Sequence, residues 1–290
     1  MSPVLDLLVA PFAYEFMQRG LIASLIVGVL CAVVGCYVVL RGLAFLGDAV
    51  AHAILPGVAV AYLLKADLLI GAIITAVAVA LVIGFVANPG KVKEDTAIGI
   101  VFAGALALGI ALMSSVKSYT VDLTHILFGN VLAVNASDLW ITAALAALVL
   151  LAVLLLYKEL LLVCFDPILA GTLRLPVNLL RNGLLAMLAL TVVVSLQTVG
   201  AGLVVAMLVT PAATAYLVAK RLSSMMMIAA AIGALSSIAG LYASYYANIA
   251  SGAAIVLSCT TCFILVYLAG PRHGLIWSAI RKRRPSTAGA

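Results

Sequence analysis

Residues 183–219 read GLLAMLALTVVVSLQTVGAGLVVAMLVTPAATAYLVA, without a single Asp, Glu, Lys or Arg. An α-helix rises about 1.5 Å per residue, so about 20 apolar residues cross the hydrocarbon of a bilayer. The run is too long for one span and suits two, and Gly200-Ala201-Gly202 is the natural break. Residues 222–271 form a second charge-free run, divisible at Asn248 to Gly252. Working outward, the charged residues cut the rest into similar pieces: 18–40, 46–64, 68–87, 96–113 and 138–157, then 179–199, 202–219, 223–246 and 251–270. The chain therefore reads as all-α, a polytopic transmembrane helical bundle of about eight or nine spans.

Composition agrees. Of 290 residues, 66% are hydrophobic and 9% charged, and the mean hydropathy is +1.31. No soluble fold of this size hides so much apolar surface from water. Residues 1–17 carry Asp6 and Glu15 with no basic stretch, and read as an interfacial segment rather than a secretory signal. Residues 18–270 form the membrane domain, and 271–290 a basic tail. If the 158–181 loop is cytoplasmic, 13 of the 16 Lys and Arg residues lie inside and only Arg19, Lys65 and Lys117 outside. That asymmetry puts the C-terminus in the cytoplasm. The net charge of +6 is then a topology signal with attraction to anionic lipid, not a nucleic-acid surface. The five cysteines, Cys259 and Cys262 included, read as small packing residues.

Two ionisable residues fall inside a span. Asp48 and His52 are four apart, on one face of a helix. A lone Asp near mid-membrane costs about 2.5–3.5 kcal/mol on insertion scales, so such a residue marks function. A carboxylate and an imidazole one turn apart both suit a divalent first-row metal. Spacing alone leaves an intramembrane ion pair, a proton relay or Asp48 as a helix cap equally open. Ala49, Ala53, Gly57 and Ala61 form a stripe of small residues for close helix packing, and Pro56 bends the helix nearby. In segment 164–178, Asp166-Pro167 is a helix-start pair, Gly171 is placed to end or bend the short helix, and Pro176 stops any continuation.

Four blocks, in order, make the chain resemble the permease subunits of ATP-binding-cassette importers for zinc, manganese and iron. They are Arg41-Gly-Leu-Ala-Phe-Leu-Gly-Asp-Ala-Val-Ala-His-Ala-Ile-Leu-Pro-Gly, Leu127-Phe-Gly-Asn-Val-Leu-Ala-Val, Phe165-Asp-Pro with Ala170-Gly171, and Val205-Ala-Met-Leu-Val-Thr-Pro-Ala-Ala-Thr-Ala. The resemblance implies a type II importer-like bundle in the cytoplasmic membrane, with Asp48 and His52 as the metal pair in the path. Phe165, Asp166, Pro167, Ala170 and Gly171 would dock on the ATPase, and Thr210 and Pro211 would line the path. Asn130 and Ile168 stand where relatives often carry acidic residues.

It implies further a homodimer of permeases, a separate ATPase and an extracytoplasmic metal-binding protein. No permanent cofactor is expected: the metal is cargo, Mn²⁺ placed slightly ahead of Zn²⁺ or Fe²⁺. The chain has no glycine-rich phosphate loop of its own, so it reads as a transport subunit, not an enzyme. His125 and His273 read as surface or interfacial residues. The rival reading is a proton-coupled secondary transporter relaying protons through Asp48 and His52.

Overall fold

The computed structural model describes residues 14–87, 92–114 and 134–269. The tail 271–290, His125, Asn130 and His273 lie outside them. The described residues form α1 (Glu15–Leu40), α2 (Ala44–Ala53), α3 (Leu55–Leu63), α4 (Leu68–Val86), α5 (Glu94–Ser114), α6 (Ala136–Leu155), α7 (Tyr157–Phe165), α8 (Pro167–Thr172), α9 (Val177–Val199), α10 (Ala201–Val218), α11 (Leu222–Ala247) and α12 (Ser251–Ala269). Counting α2 and α3 together, nine stretches among the described residues are long and apolar enough to span a membrane.

The ends of these helices have local causes. Gly200, at φ 83° and ψ 161°, separates α9 from α10 in a conformation that only glycine adopts readily. Gly202 lies within α10, so one residue makes the break. After α1 the chain passes through left-handed Gly42 while Gly42 N–H bonds to the Val39 carbonyl and Leu43 N–H to that of Val38. This is a Schellman ending. The same pair of bonds closes α3 around Lys65 and α8 around Arg174, each at φ between 54° and 58°. Asn248, also left-handed, ends α11. At the start of α4, the Asp67 carboxylate accepts from Leu69 N–H at 2.8 Å.

α1 is apolar on all sides and accordingly buried: it packs against α6, α9, α10 and α11. Leu30, Cys31 and Tyr37 are fully enclosed. α9, the second inner helix, packs on α4. The outer helices α5, α6 and α12 leave Ile100, Leu108, Leu148, Leu154 and Leu265 exposed, which suits contact with lipid tails.

One difference from the sequence reading concerns residues 158–181. A further helix, α7, follows α6 with only Leu156 between them. Lys158 and Glu159 end the apolar run but not the helix, because Leu160 and Val163 recur at helical spacing and are buried.

Candidate functional site

α2 starts at Ala44, its N-cap is Leu43 and no side chain caps it. Asp48 therefore sits in the second turn, and the capping role is excluded. Pro56 occupies the first turn of α3. Lacking an N–H, it cannot bond the His52 carbonyl four residues back, and the helix breaks at Ile54. His52 is thus the last residue but one of a short helix.

The His52 ring is held from two sides. Nδ1 lies 3.0 Å from the Asp48 carbonyl oxygen. A carbonyl only accepts, so Nδ1 carries the proton and donates, and in the neutral ring Nε2 keeps its lone pair. The Asp48 carboxylate lies 3.6 Å from the same nitrogen. Phe102 of α5 meets His52 edge-to-face at 6.4 Å and Phe45 likewise at 5.9 Å. The face is open: the side chains of His52 and Asp48 are 34% and 43% exposed, and Phe45 one turn earlier is exposed too. Among the described residues no three His, Cys, Asp or Glu side chains gather, so one chain presents only this pair.

The neighbouring face of the broken helix is closed. Ala49, Ala53, Gly57 and Ala61 are buried. A Cβ on Gly57 would come within 1.9 Å of Thr75 Oγ1 and 2.3 Å of the Gly71 carbonyl oxygen. Gly71 in turn would meet the Gly57 carbonyl at 2.5 Å. α3 and α4 therefore touch backbone to backbone. α10 packs against α2; there Pro211 is buried, and the Thr210 carbonyl accepts from Thr214 Oγ1 at 2.7 Å.

At the end of the bundle where α1 gives way to α2, the Asp166 carboxylate accepts from Ile168 N–H at 3.1 Å and Leu169 N–H at 2.9 Å. Pro167, next in sequence, opens α8. Gly171 does not end α8; it lies in the last turn, exposed, and a Cβ added there would meet nothing within 4 Å. Arg174 takes the left-handed position instead. Ala170 is buried with Val163 and Leu180, whereas Phe165, Ile168 and Leu169 are exposed, Ile168 by 81%. Burial pushes the Cys164 thiol up to about 11, against a smaller lowering by Arg41.

Two features had no clear signal in the sequence. Phe102 is one apolar residue among many in α5, and only the fold brings it to His52. Arg41, between α1 and α2, forms a largely buried ion pair with Glu94 at the start of α5.

With this geometry in place, likenesses to known proteins bear on it. The model of the ABC 3 transport family matches residues 13–270. The manganese transport system membrane protein MntC of Halalkalibacterium halodurans is 48% identical over 272 residues, covering 94% of this chain and 93% of that protein. The chelated iron transport system membrane protein YfeD of Yersinia pestis is 40% identical over 268 residues, covering 92% and 90%. The solved structure of PsaBC from Streptococcus pneumoniae in complex with Fab superposes with a TM-score of 0.82 at 40% identity, covering 96% of this chain and 99% of that one.

Proposed function

The chain belongs to the ABC 3 transport family, and from that premise we propose that it is the membrane-spanning permease subunit of an ATP-driven importer of a divalent transition metal, with Mn²⁺ as the first candidate and Fe²⁺ or Zn²⁺ behind it. The observation that carries the metal reading is the pair Asp48 and His52 on one open face, with His52 Nδ1 committed to a backbone carbonyl and Nε2 free.

One carboxylate and one imidazole leave a transition metal undercoordinated. Two copies of the chain facing each other about a twofold axis supply two of each. The carboxylates offset the charge of M²⁺ and the two Nε2 atoms supply nitrogen, a donor set without thiolate that suits Mn²⁺, Fe²⁺ or Zn²⁺. Phe102 fixes the ring that offers Nε2. The small-residue stripe from Ala49 to Ala61 fixes the helix behind it, and Thr210 and Pro211 lie on the helix that flanks it.

α8 with Phe165 is the docking element for a separate ATPase. Two exposed apolar side chains mark it, Phe165 at the end of α7 and Ile168 on α8, a capped helix that α7 and α9 hold in place. An extracytoplasmic binding protein delivers the metal on the opposite side. The excess of Lys and Arg puts α7, α8 and the C-terminus in the cytoplasm.

Reconstitution with an ATP-binding-cassette ATPase of a manganese importer tests the reading. ATP-dependent uptake of Mn²⁺ into proteoliposomes, lost in Asp48→Asn and in His52→Ala while both variants still assemble, is the expected result. Undiminished uptake in both variants would sink the metal assignment. Uptake driven by a proton gradient without ATP would restore the relay reading.

A further inference from the structure

The end of the bundle that carries α8 holds a cavity of about 600 Å³, which neither Asp48 nor His52 lines. Its wall contains Arg41, Lys93 and Arg181 and, among the described residues, a single carboxylate, Glu94, with the amide of Asn178. We propose that this cavity binds a phosphate group carried on a larger molecule, either a phospholipid headgroup or a soluble phosphate ester.

Charge is the first argument. Three cations face one carboxylate, and Glu94 is already engaged by Arg41 Nη2. Arg181 Nη2 donates to the Gly84 carbonyl at 2.7 Å. An arginine keeps its charge at any physiological pH, so the wall holds an excess of positive charge, and a phosphate is an acceptor that guanidinium groups match in geometry and charge.

Size is the second. About 600 Å³ falls in the range of small-molecule sites, roughly 300–1,000 Å³, and far exceeds what one inorganic phosphate fills. The rest of the described wall is apolar, formed by Ala87, Val92, Val163, Pro167 and Val177. That wall suits the carbon body of a glycerol phosphate or similar ester. The cavity sits where α1, α4, α5 and α9 end, at the level where headgroups meet the protein in the proposed orientation.

The test uses the full chain in nanodiscs and reads thermal stability, a measure independent of metal transport. Discs of phosphatidylcholine alone are compared with discs containing phosphatidylglycerol, and with phosphatidylcholine discs given soluble glycerol 3-phosphate. The expected result is a rise in Tm with one of the two probes. Its half-saturating concentration should increase about tenfold in Lys93→Gln and in Arg181→Gln, with Lys220→Gln as a control cation that leaves it unchanged. A rise with phosphatidylglycerol assigns a lipid, and one with glycerol 3-phosphate a soluble ester. Because Arg181 also bonds to Gly84, Lys93→Gln decides the matter if Arg181→Gln does not fold. No rise with either probe, or an equal rise in Lys93→Gln, would overturn the proposal.

Discussion

At the scale of single residues, side-chain type was legible in the sequence while side-chain company was not. Asp48 and His52 stood out because charge is scarce in a span. Nothing in the sequence told that Nδ1 would spend its proton on the Asp48 carbonyl or that Phe102 would stand against the ring, since both follow from the break at Pro56 and from the packing of α5 on α2. Phe102→Ala removes an aromatic contact worth about 0.5–1.5 kcal/mol. Metal uptake should need roughly three- to tenfold more Mn²⁺ for half-maximal rate, while Phe102→Tyr keeps the ring and the affinity. A second residue-scale expectation concerns Cys164, whose thiol burial raises to about 11. The thiolate is the reactive form, and a raised value leaves little of it at neutral pH. In a variant retaining only Cys164, alkylation at pH 8 should run about a hundredfold slower than for an ordinary thiol and rise about tenfold per pH unit toward pH 10. Alkylation at an ordinary rate would mean that Cys164 is open to water.

At the scale of elements, spans were readable because membrane helices announce themselves by length and by lack of charge, and Gly200 was readable because few residues tolerate its backbone angles. Two things escaped. α7 was hidden by Lys158 and Glu159, which interrupt the apolar run without interrupting the helix. Which residue turns the chain out of α8 was the second: glycine is the usual left-handed residue, but Gly171 stays helical and Arg174 takes that place. The two positions consequently separate by mutation. Asp166→Ala removes the two cap bonds and should cost about 1 kcal/mol of local stability, seen as faster amide exchange across Pro167–Thr172 and weaker stimulation of ATP hydrolysis. Gly171→Ala meets open space and adds helix propensity, so exchange there should slow. If coupling nonetheless falls in Gly171→Ala, the cause lies in contact with the ATPase and not in the permease. The small-residue stripe was half legible: its spacing marked a packing face, but only the fold supplies Gly71 and Thr75 as what it packs on. Gly57→Ala should lower Tm markedly, by crowding that costs about 1–3 kcal/mol. Thr75→Ala should not rescue it, since the Gly71 carbonyl would still lie 2.3 Å from the new methyl group. Full rescue would mean that α3 and α4 move apart freely.

At the scale of the whole molecule, the proposed metal role of Asp48 and His52 calls for a second copy. Asp48 and His52 lie on a face that one chain leaves open, with Phe45 beside them 45% exposed, and a single chain assembles no third ligand among its described residues. In a twofold assembly, residues nearest the axis meet their own counterparts. A cysteine at Phe45, in a background lacking the five native cysteines, should therefore cross-link two copies through a short bifunctional reagent. A cysteine at Leu154, 70% exposed on the outer helix α6, faces lipid under the same arrangement and should not. Bound Mn²⁺ draws the two pairs together, so cross-linking at Phe45→Cys should quicken with metal in the otherwise intact site and lose that dependence in Asp48→Asn. Cross-linking at Leu154→Cys instead, or at neither position, would place the axis elsewhere and leave the Asp48–His52 pair without the partner that a transported cation requires.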